Sequence, residues 1–158
     1  MINLRKIIPV LFLITVGFVS NAQPGPGKQA MEIALPTPVG DTLMLSSLKG
    51  KIVLLDFWAS WCGPCRSANK HLVKLYSKYK EKGFEIYGIS LDTEADSWKD
   101  AVKHNGITWL QVLDANGETA GVWNVNYIPN TFLLDKTGKI VAVNPTEEEL
   151  QKHLQELL

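Results

Sequence analysis

Cys62 and Cys65 are the only two cysteines in the 158-residue chain, and two residues separate them. At this spacing, near the start of a helix, two sulfurs can form a disulfide and open it again with little backbone movement. A strand-like apolar run over residues 51–58 precedes the pair, and a helix-like run over residues 67–82 follows it. This context indicates thiol–disulfide redox chemistry rather than half of a zinc site.

The spacing also predicts different roles for the two sulfurs. Cys62 is expected at the first turn of the helix, where unpaired amides and the helix dipole favour negative charge. Cysteines at such positions have a pKa of about 3.5–7.5, against about 8.5 for free cysteine. Cys62 is therefore the predicted attacking thiolate, and Cys65, one turn deeper, is the predicted resolving thiol. Gly63 leaves room for a target chain, Pro64 enters the helix without losing a needed donor, and Trp61 offers an apolar wall.

Asp56 lies six residues before Cys62, inside the apolar run. It could be a strand-edge aspartate that faces solvent, or a buried carboxylate below the disulfide. Its apolar neighbours favour burial, which would raise its pKa and let it exchange a proton with Cys65. Pro129 directly precedes another strand-like run, but the pattern alone does not decide whether its peptide bond is cis or trans.

Hydrophobic periodicity and turn residues divide the rest of the chain into short strands and helices. Strands are predicted over residues 31–35, 42–45, 52–58, 84–91, 109–113, 131–135 and 140–144. Helices are predicted over residues 65–82, from an N-cap at Thr93 to about 105, over 119–123, and from an N-cap at Thr146, whose capping box includes Glu149. Alternating strands and helices followed by a hairpin and a helix predict an α/β fold, with a mixed central sheet and helices on both faces.

The N-terminal residues have the features of an export signal. Arg5 and Lys6 precede an apolar run over residues 7–19, and small residues stand before Gln23. We therefore predict a signal peptide over residues 1–22, a Pro/Gly-rich linker over 23–29 and one domain over 30–158. The alternative is an uncleaved membrane anchor. Export would place the thiols in an oxidising compartment, the periplasm. The 16 basic and 16 acidic side chains balance, which argues against a nucleic-acid partner.

At these motifs the chain resembles the thioredoxin superfamily and, more closely, the exported TlpA/ResA-like thiol-disulfide oxidoreductases. The matching segments are residues 48–51, 54–66 and 128–135, and the resemblance spans residues 31–158. It implies a thioredoxin-like three-layer fold with an N-terminal β-hairpin and an extra helix and strand over residues 93–113. It also implies a cis Ile128–Pro129 bond that faces the cysteines, with the Ile128 backbone holding an extended substrate segment.

The sequence departs from the family pattern at two places. Ala68 and Lys70 stand where many relatives have glutamate and proline, which makes Asp56 the better acid–base candidate. Asn130 follows Pro129 where threonine is usual, which alters the expected substrate groove.

The Gly-Pro pair between the cysteines resembles the reducing members of the superfamily. The resemblance therefore implies a monomeric reductase of protein disulfides that is supplied by a membrane thiol electron donor. It implies no cofactor and no metal, because the Cys62–Cys65 pair carries the electrons.

Three alternatives use the same residues differently. A thiol oxidase or isomerase would share the chemistry and differ in redox potential. A peroxidase is disfavoured, because Trp58 and Ala59 occupy the positions where peroxiredoxins place threonine and proline. A metal-handling module is disfavoured because two cysteines supply half of a tetrahedral zinc site, and His71 lies almost two helical turns beyond Cys65.

Overall fold

The structure, a computed structural model, describes residues 23–158. The predicted signal peptide lies outside the described residues and stays a prediction. Within residues 23–158, no helix has the length and apolar character needed to cross a membrane. The strands of this part of the chain are β1 (Ala34–Pro36), β2 (Thr42–Met44), β3 (Ile52–Trp58), β4 (Phe84–Ser90), β5 (Leu110–Leu113), β6 (Asn130–Leu134) and β7 (Ile140–Val143). Its α-helices are α1 (Gly63–Tyr79), α2 (Ala95–His104), α3 (Glu118–Val122) and α4 (Glu147–Leu157).

The larger sheet of the described residues has the strand order β5-β4-β3-β6-β7. Strand β3 pairs in parallel with β4 and antiparallel with β6, so the sheet is mixed as predicted. Strands β4 and β5 are also parallel, whereas β6 and β7 form an antiparallel hairpin. Every residue of β3 and β4 is buried, which agrees with a continuous apolar run at the centre of a covered sheet.

Helices cover both faces of this sheet. On one face, buried side chains of α1, α2 and α4 pack against β3, for example Leu72, Trp98 and Leu154. On the other face, Ala120 of α3 and Leu45 of a short 3₁₀ helix (Leu45–Leu48) pack against the alternate residues of the strands. The expected helix–strand insertion is α2 and β5, and the expected N-terminal hairpin is β1 and β2. The three-layer α/β fold is confirmed.

Helix termini follow local sequence signals with small corrections. Helix α4 has the predicted capping box, in which the Thr146 hydroxyl accepts from the Glu149 amide and the Glu149 carboxylate accepts from the Thr146 amide. Helix α1 begins at Gly63, two residues earlier than predicted, because Pro64 fits the first turn of a helix. Helix α2 begins at Ala95 without a side-chain cap, so the predicted cap at Thr93 is wrong.

Part of the segment predicted to be a linker is attached to the sheet. Gly27 donates its backbone N–H to the Ile140 carbonyl, and Ile140 in turn donates to the Lys28 carbonyl. Ala30 donates to the Gly138 carbonyl. Strand β7 lies at the sheet edge and leaves backbone groups unpaired, and this segment satisfies them. The Pro/Gly-rich composition indicated a linker, because composition alone contains no information about hydrogen bonds to a distant segment of the chain.

Candidate active site

The two cysteines lie where the chain passes from β3 into α1. They form a disulfide with a Cα–Cα distance of 5.3 Å. Cys62 is the N-cap residue of α1, and its Sγ accepts a hydrogen bond from the Cys65 N–H at 3.1 Å. The first turn of α1 carries no acidic side chain. A backbone donor and the positive end of the helix dipole therefore both face the Cys62 sulfur, and each favours a thiolate there.

The two cysteine residues are both largely buried, but to different extents. Cys62 is 6 % exposed, whereas Cys65 is 1 % exposed, which agrees with a deeper position for the second cysteine. Beside them Trp61 is 67 % exposed, which is unusual for so large an apolar side chain. The space that a side chain at Gly63 would enter is empty within 4 Å. The surface next to Cys62 is thus open and apolar.

A buried carboxylate that the sequence analysis missed holds the loop before the disulfide. Asp92 accepts hydrogen bonds from the Ser60 N–H at 3.0 Å and from the Ser60 hydroxyl at 2.6 Å. The Ser90 hydroxyl also donates to Asp92, at 2.7 Å. Ser90 ends β4 and Trp58 ends its parallel neighbour β3, so the loops that follow these strands both begin at the carboxyl end of the strands. In the sequence, the available signal for this anchor was the pair of polar residues Ser90 and Asp92 at the end of an apolar strand.

The Ile128–Pro129 peptide bond is cis, as the family resemblance implies. Ile128 packs against the buried cluster that contains Cys62 and Cys65. The start of β6, directly after Pro129, is held by Asn144, the residue that follows β7, whose side-chain oxygen accepts from the Thr131 N–H at 2.7 Å. Asn130, which departs from the usual threonine, is fully buried.

A cavity of about 340 Å³ lies between β3, α1, the start of α4 and the Pro129 loop. Asp56 and Pro129 both line it, together with Ala68, which is one helical turn beyond Cys65. Because Ala68 has a small side chain, this wall of the cavity leaves space beside Asp56. The structure therefore brings Asp56 and Pro129, which are distant in sequence, to one cavity next to α1.

Asp56 is buried at 3 % exposure, so the interpretation as a solvent-facing strand-edge residue is wrong. Its side chain projects toward α1 because alternate residues of β3 share a face, and Leu54 and Trp58 belong to the cluster on that side. Desolvation raises the pKa of the Asp56 carboxyl from 3.8 to about 7. The carboxyl group can thus gain or lose a proton near neutral pH.

Charged groups are sparse around this cavity. His71 Nδ1 on α1 lies 3.3 Å from Glu147 Oε2 at the start of α4, and both residues line the cavity. Within residues 23–158, no three His, Cys, Asp or Glu side chains lie together in an arrangement that could hold a metal ion.

Comparisons with known proteins agree with this geometry. The model of the AhpC/TSA family matches residues 26–143. Thiol-disulfide oxidoreductase ResA from a strain of Bacillus cereus is 35 % identical over 134 residues, which span 83 % of this chain and 78 % of that protein. ResA from Geobacillus kaustophilus is 29 % identical over 164 residues, 98 % of this chain and 94 % of that protein.

Solved structures show the same fold. The C-terminal domain of a thiol-disulfide oxidoreductase from Bacteroides thetaiotaomicron superposes with a TM-score of 0.81 at 38 % identity, covering 86 % of this chain and 97 % of that one. A thiol:disulfide interchange protein DsbE from Chlorobium tepidum superposes with a TM-score of 0.75 at 31 % identity, covering 83 % and 95 %. The fold and the disulfide are those of a thioredoxin-like oxidoreductase. More narrowly, the chain matches the AhpC/TSA family model and belongs to the TlpA/ResA-like thiol-disulfide oxidoreductases.

Proposed function

We propose that this enzyme is an exported reductase of protein disulfides, with Cys62 as its nucleophile. The observation that carries the proposal is the N-cap position of Cys62, whose sulfur accepts the Cys65 N–H. Only the first cysteine of the pair has this environment at the helix tip, and at 6 % exposure it is the less deeply buried of the two. An accessible, stabilised thiolate is what attack on a foreign disulfide requires.

The exchange proceeds in two steps. The Cys62 thiolate attacks one sulfur of the substrate disulfide, which forms a mixed disulfide and releases the other substrate sulfur as a thiolate. The Cys65 thiolate then attacks Cys62 Sγ, which forms the Cys62–Cys65 disulfide and releases the second substrate sulfur. Two electrons pass to the substrate, and the two released thiolates take up protons. No cofactor or metal enters this cycle.

Asp56 is the proposed proton acceptor for Cys65. A carboxyl group with a pKa of about 7 can be ionised when Cys65 needs to lose its proton and can return the proton afterwards. An Asp56→Asn variant should therefore release the mixed disulfide more slowly, roughly 10-fold or more at neutral pH. Stopped-flow measurement of that single step tests the role, and an unchanged release rate would contradict it.

The substrate segment is proposed to lie across the disulfide in an extended conformation. The exposed Trp61 would contact its apolar side chains, and the open space beside Gly63 would admit its backbone. Pro64 keeps the first turn of α1 in place, and the backbone of Ile128, before Pro129, would pair with the extended segment.

We further propose a periplasmic location, with residues 1–22 removed as a signal peptide, and a monomeric state. In this compartment disulfides persist, so the enzyme would need a membrane thiol electron donor to return Cys62 and Cys65 to the reduced form. Mass spectrometry of the exported protein should give an N-terminus at Gln23. A membrane-bound protein that keeps residues 1–22 would instead support the anchored alternative.

A trapping experiment tests the nucleophile. A Cys65→Ser variant lacks the resolving thiol, so a mixed disulfide between Cys62 and a fluorophore-labelled disulfide peptide should accumulate. The matched Cys62→Ser variant should accumulate little adduct, because Cys65 is the more deeply buried cysteine and does not occupy the N-cap position of α1. If the folded Cys65→Ser variant with a free Cys62 thiol forms no adduct, or if both variants react equally, the assignment is wrong.

The direction of electron flow is tested by the equilibrium redox potential. Thioredoxin has a potential of about −270 mV and the oxidant DsbA about −120 mV. Titration against thiol–disulfide buffers, followed by tryptophan fluorescence, should give a value below about −200 mV. A value above this limit would favour the oxidase or isomerase function over the reductase function.

A further inference from the structure

Asp56 belongs to a row of three residues that crosses the sheet. It pairs in register with Gly88 of β4, and Gly88 pairs in register with Gln111 of β5. Laterally paired residues of parallel strands project their side chains to the same face, and neighbouring strands lie about 4.8 Å apart. The side chains of Gln111 and Asp56 therefore lie on one face, separated only by a residue that has no side chain.

The Gln111 carboxamide occupies the space above Gly88. A Cβ at position 88 would overlap Gln111 Nε2 and would lie 2.8 Å from its Oε1. The amide thus extends from β5 over β4, toward β3. Gln111 is only 5 % exposed, so this position is enclosed by protein.

The two polar atoms of this amide have different environments. Gln111 Oε1 accepts a hydrogen bond from the Trp58 indole N–H at 3.0 Å, and this bond determines how the amide is turned. Gln111 Nε2 is buried and has no hydrogen-bond partner among residues 23–158. A buried N–H group without an acceptor is costly, so its presence calls for a structural or functional explanation. The next side chain along the row is the Asp56 carboxylate.

We propose that Gln111 is a positioning residue for Asp56: Trp58 and the missing side chain at Gly88 hold its N–H donor over Gly88, one strand from Asp56 on the same face of the sheet, where the amide dipole favours the ionised form. This inference rests on the proposed role of Asp56 in proton exchange with Cys65. Burial opposes ionisation of Asp56, and an oriented amide dipole partly offsets that effect without adding a charge. The row would thus keep Asp56 able to accept a proton near neutral pH.

The other titratable side chains near Asp56 line the same cavity. They are His71 on α1, Tyr127 before the Pro129 loop and Glu147 at the start of α4. Strand β4 places only Gly88 in this row, and the disulfide sulfurs do not titrate in the oxidised protein. Because histidine titrates in the same pH range, each measurement is also made with His71→Gln, which removes that group.

The test is a ¹³C NMR titration of the Asp56 carboxyl in the oxidised protein. Gln111→Met keeps the approximate shape of the side chain and removes the donor, so the titration midpoint should rise by roughly 0.5–1 pH unit. Gln111→Glu keeps an acceptor for Trp58 and adds a second carboxyl, so the midpoint should rise further. Because Gln111→Glu keeps an acceptor for the Trp58 N–H, it is expected to fold even if Gln111→Met does not, and the test can then rest on the Glu variant.

The outcomes separate this inference from the proposed function. If both Gln111 variants fold and leave the Asp56 midpoint unchanged, Gln111 only fills space and the inference is overturned. If the midpoint shifts but Asp56→Asn leaves mixed-disulfide release unchanged, the coupling between Gln111 and Asp56 stands and the catalytic role of Asp56 fails.

Discussion

Replacing Asp56 by asparagine should stabilise the oxidised protein at high pH and have little effect at low pH. Burial raises the pKa of Asp56 from 3.8 to about 7, so the folded state holds a proton that the unfolded state has lost between these values. Where the folded state binds more protons, stability falls as pH rises. The contribution of Asp56 to the free energy of unfolding is therefore fully present below about pH 4 and is lost as the pH rises through about 7.

The size of the effect follows from the pKa difference. One pKa unit corresponds to about 1.4 kcal/mol, so full ionisation of Asp56 costs the folded state about 4 kcal/mol. Asparagine has a similar shape and cannot ionise. The Asp56→Asn variant should accordingly exceed the wild type in free energy of unfolding by about 4 kcal/mol above pH 8, and this advantage should shrink toward zero near pH 4.

The assay is urea denaturation at fixed pH values from 4 to 8.5, followed by the fluorescence of the five tryptophans. The disulfide is kept oxidised so that no cysteine titrates, and equal m-values are required for the comparison. Asp100→Asn, at an exposed position on α2, is the matched control for the same change of side chain away from the cavity. A pH-independent difference for Asp56→Asn, or a wild type that gains stability with rising pH relative to the variant, would refute the reasoning.

Three further substitutions test the supporting structure by urea denaturation of the oxidised protein. Gly88→Ala should cost about 1–3 kcal/mol, because the added Cβ displaces the Gln111 amide from its position over the sheet; no cost would mean that the amide moves freely. Asp92→Ala should cost about 3 kcal/mol, because the Ser60 N–H loses its acceptor; it should also slow the reaction of the first cysteine with a disulfide peptide, and an unchanged rate would show that this loop needs no anchor. Thr146→Ala should cost about 1 kcal/mol through loss of the cap of α4; a value near zero would show that the capping box adds no stability.

The features that depend on neighbouring residues could be predicted from the sequence. The strand before Cys62, the helix after it and the capping box at Thr146 all appear in the structure. Each depends on hydrogen bonds or side-chain periodicity within about one turn of helix or one strand, so a short segment contains the whole signal. The error at Thr93 has the same origin, because a residue with suitable chemistry need not adopt the cap geometry.

Only the tertiary structure decided what surrounds the disulfide. The rise in the pKa of Asp56 requires that α1, α4 and the Pro129 loop remove water from one side of β3, and both α4 and the Pro129 loop are far from β3 in the chain. The placement of Gln111 over Gly88 depends on the pairing register of β4 and β5. The sequence by itself therefore determined which sulfur stands at the helix tip, since that follows from local geometry. The fold decided the proton affinity of the carboxyl group, since desolvation depends on every element packed around it.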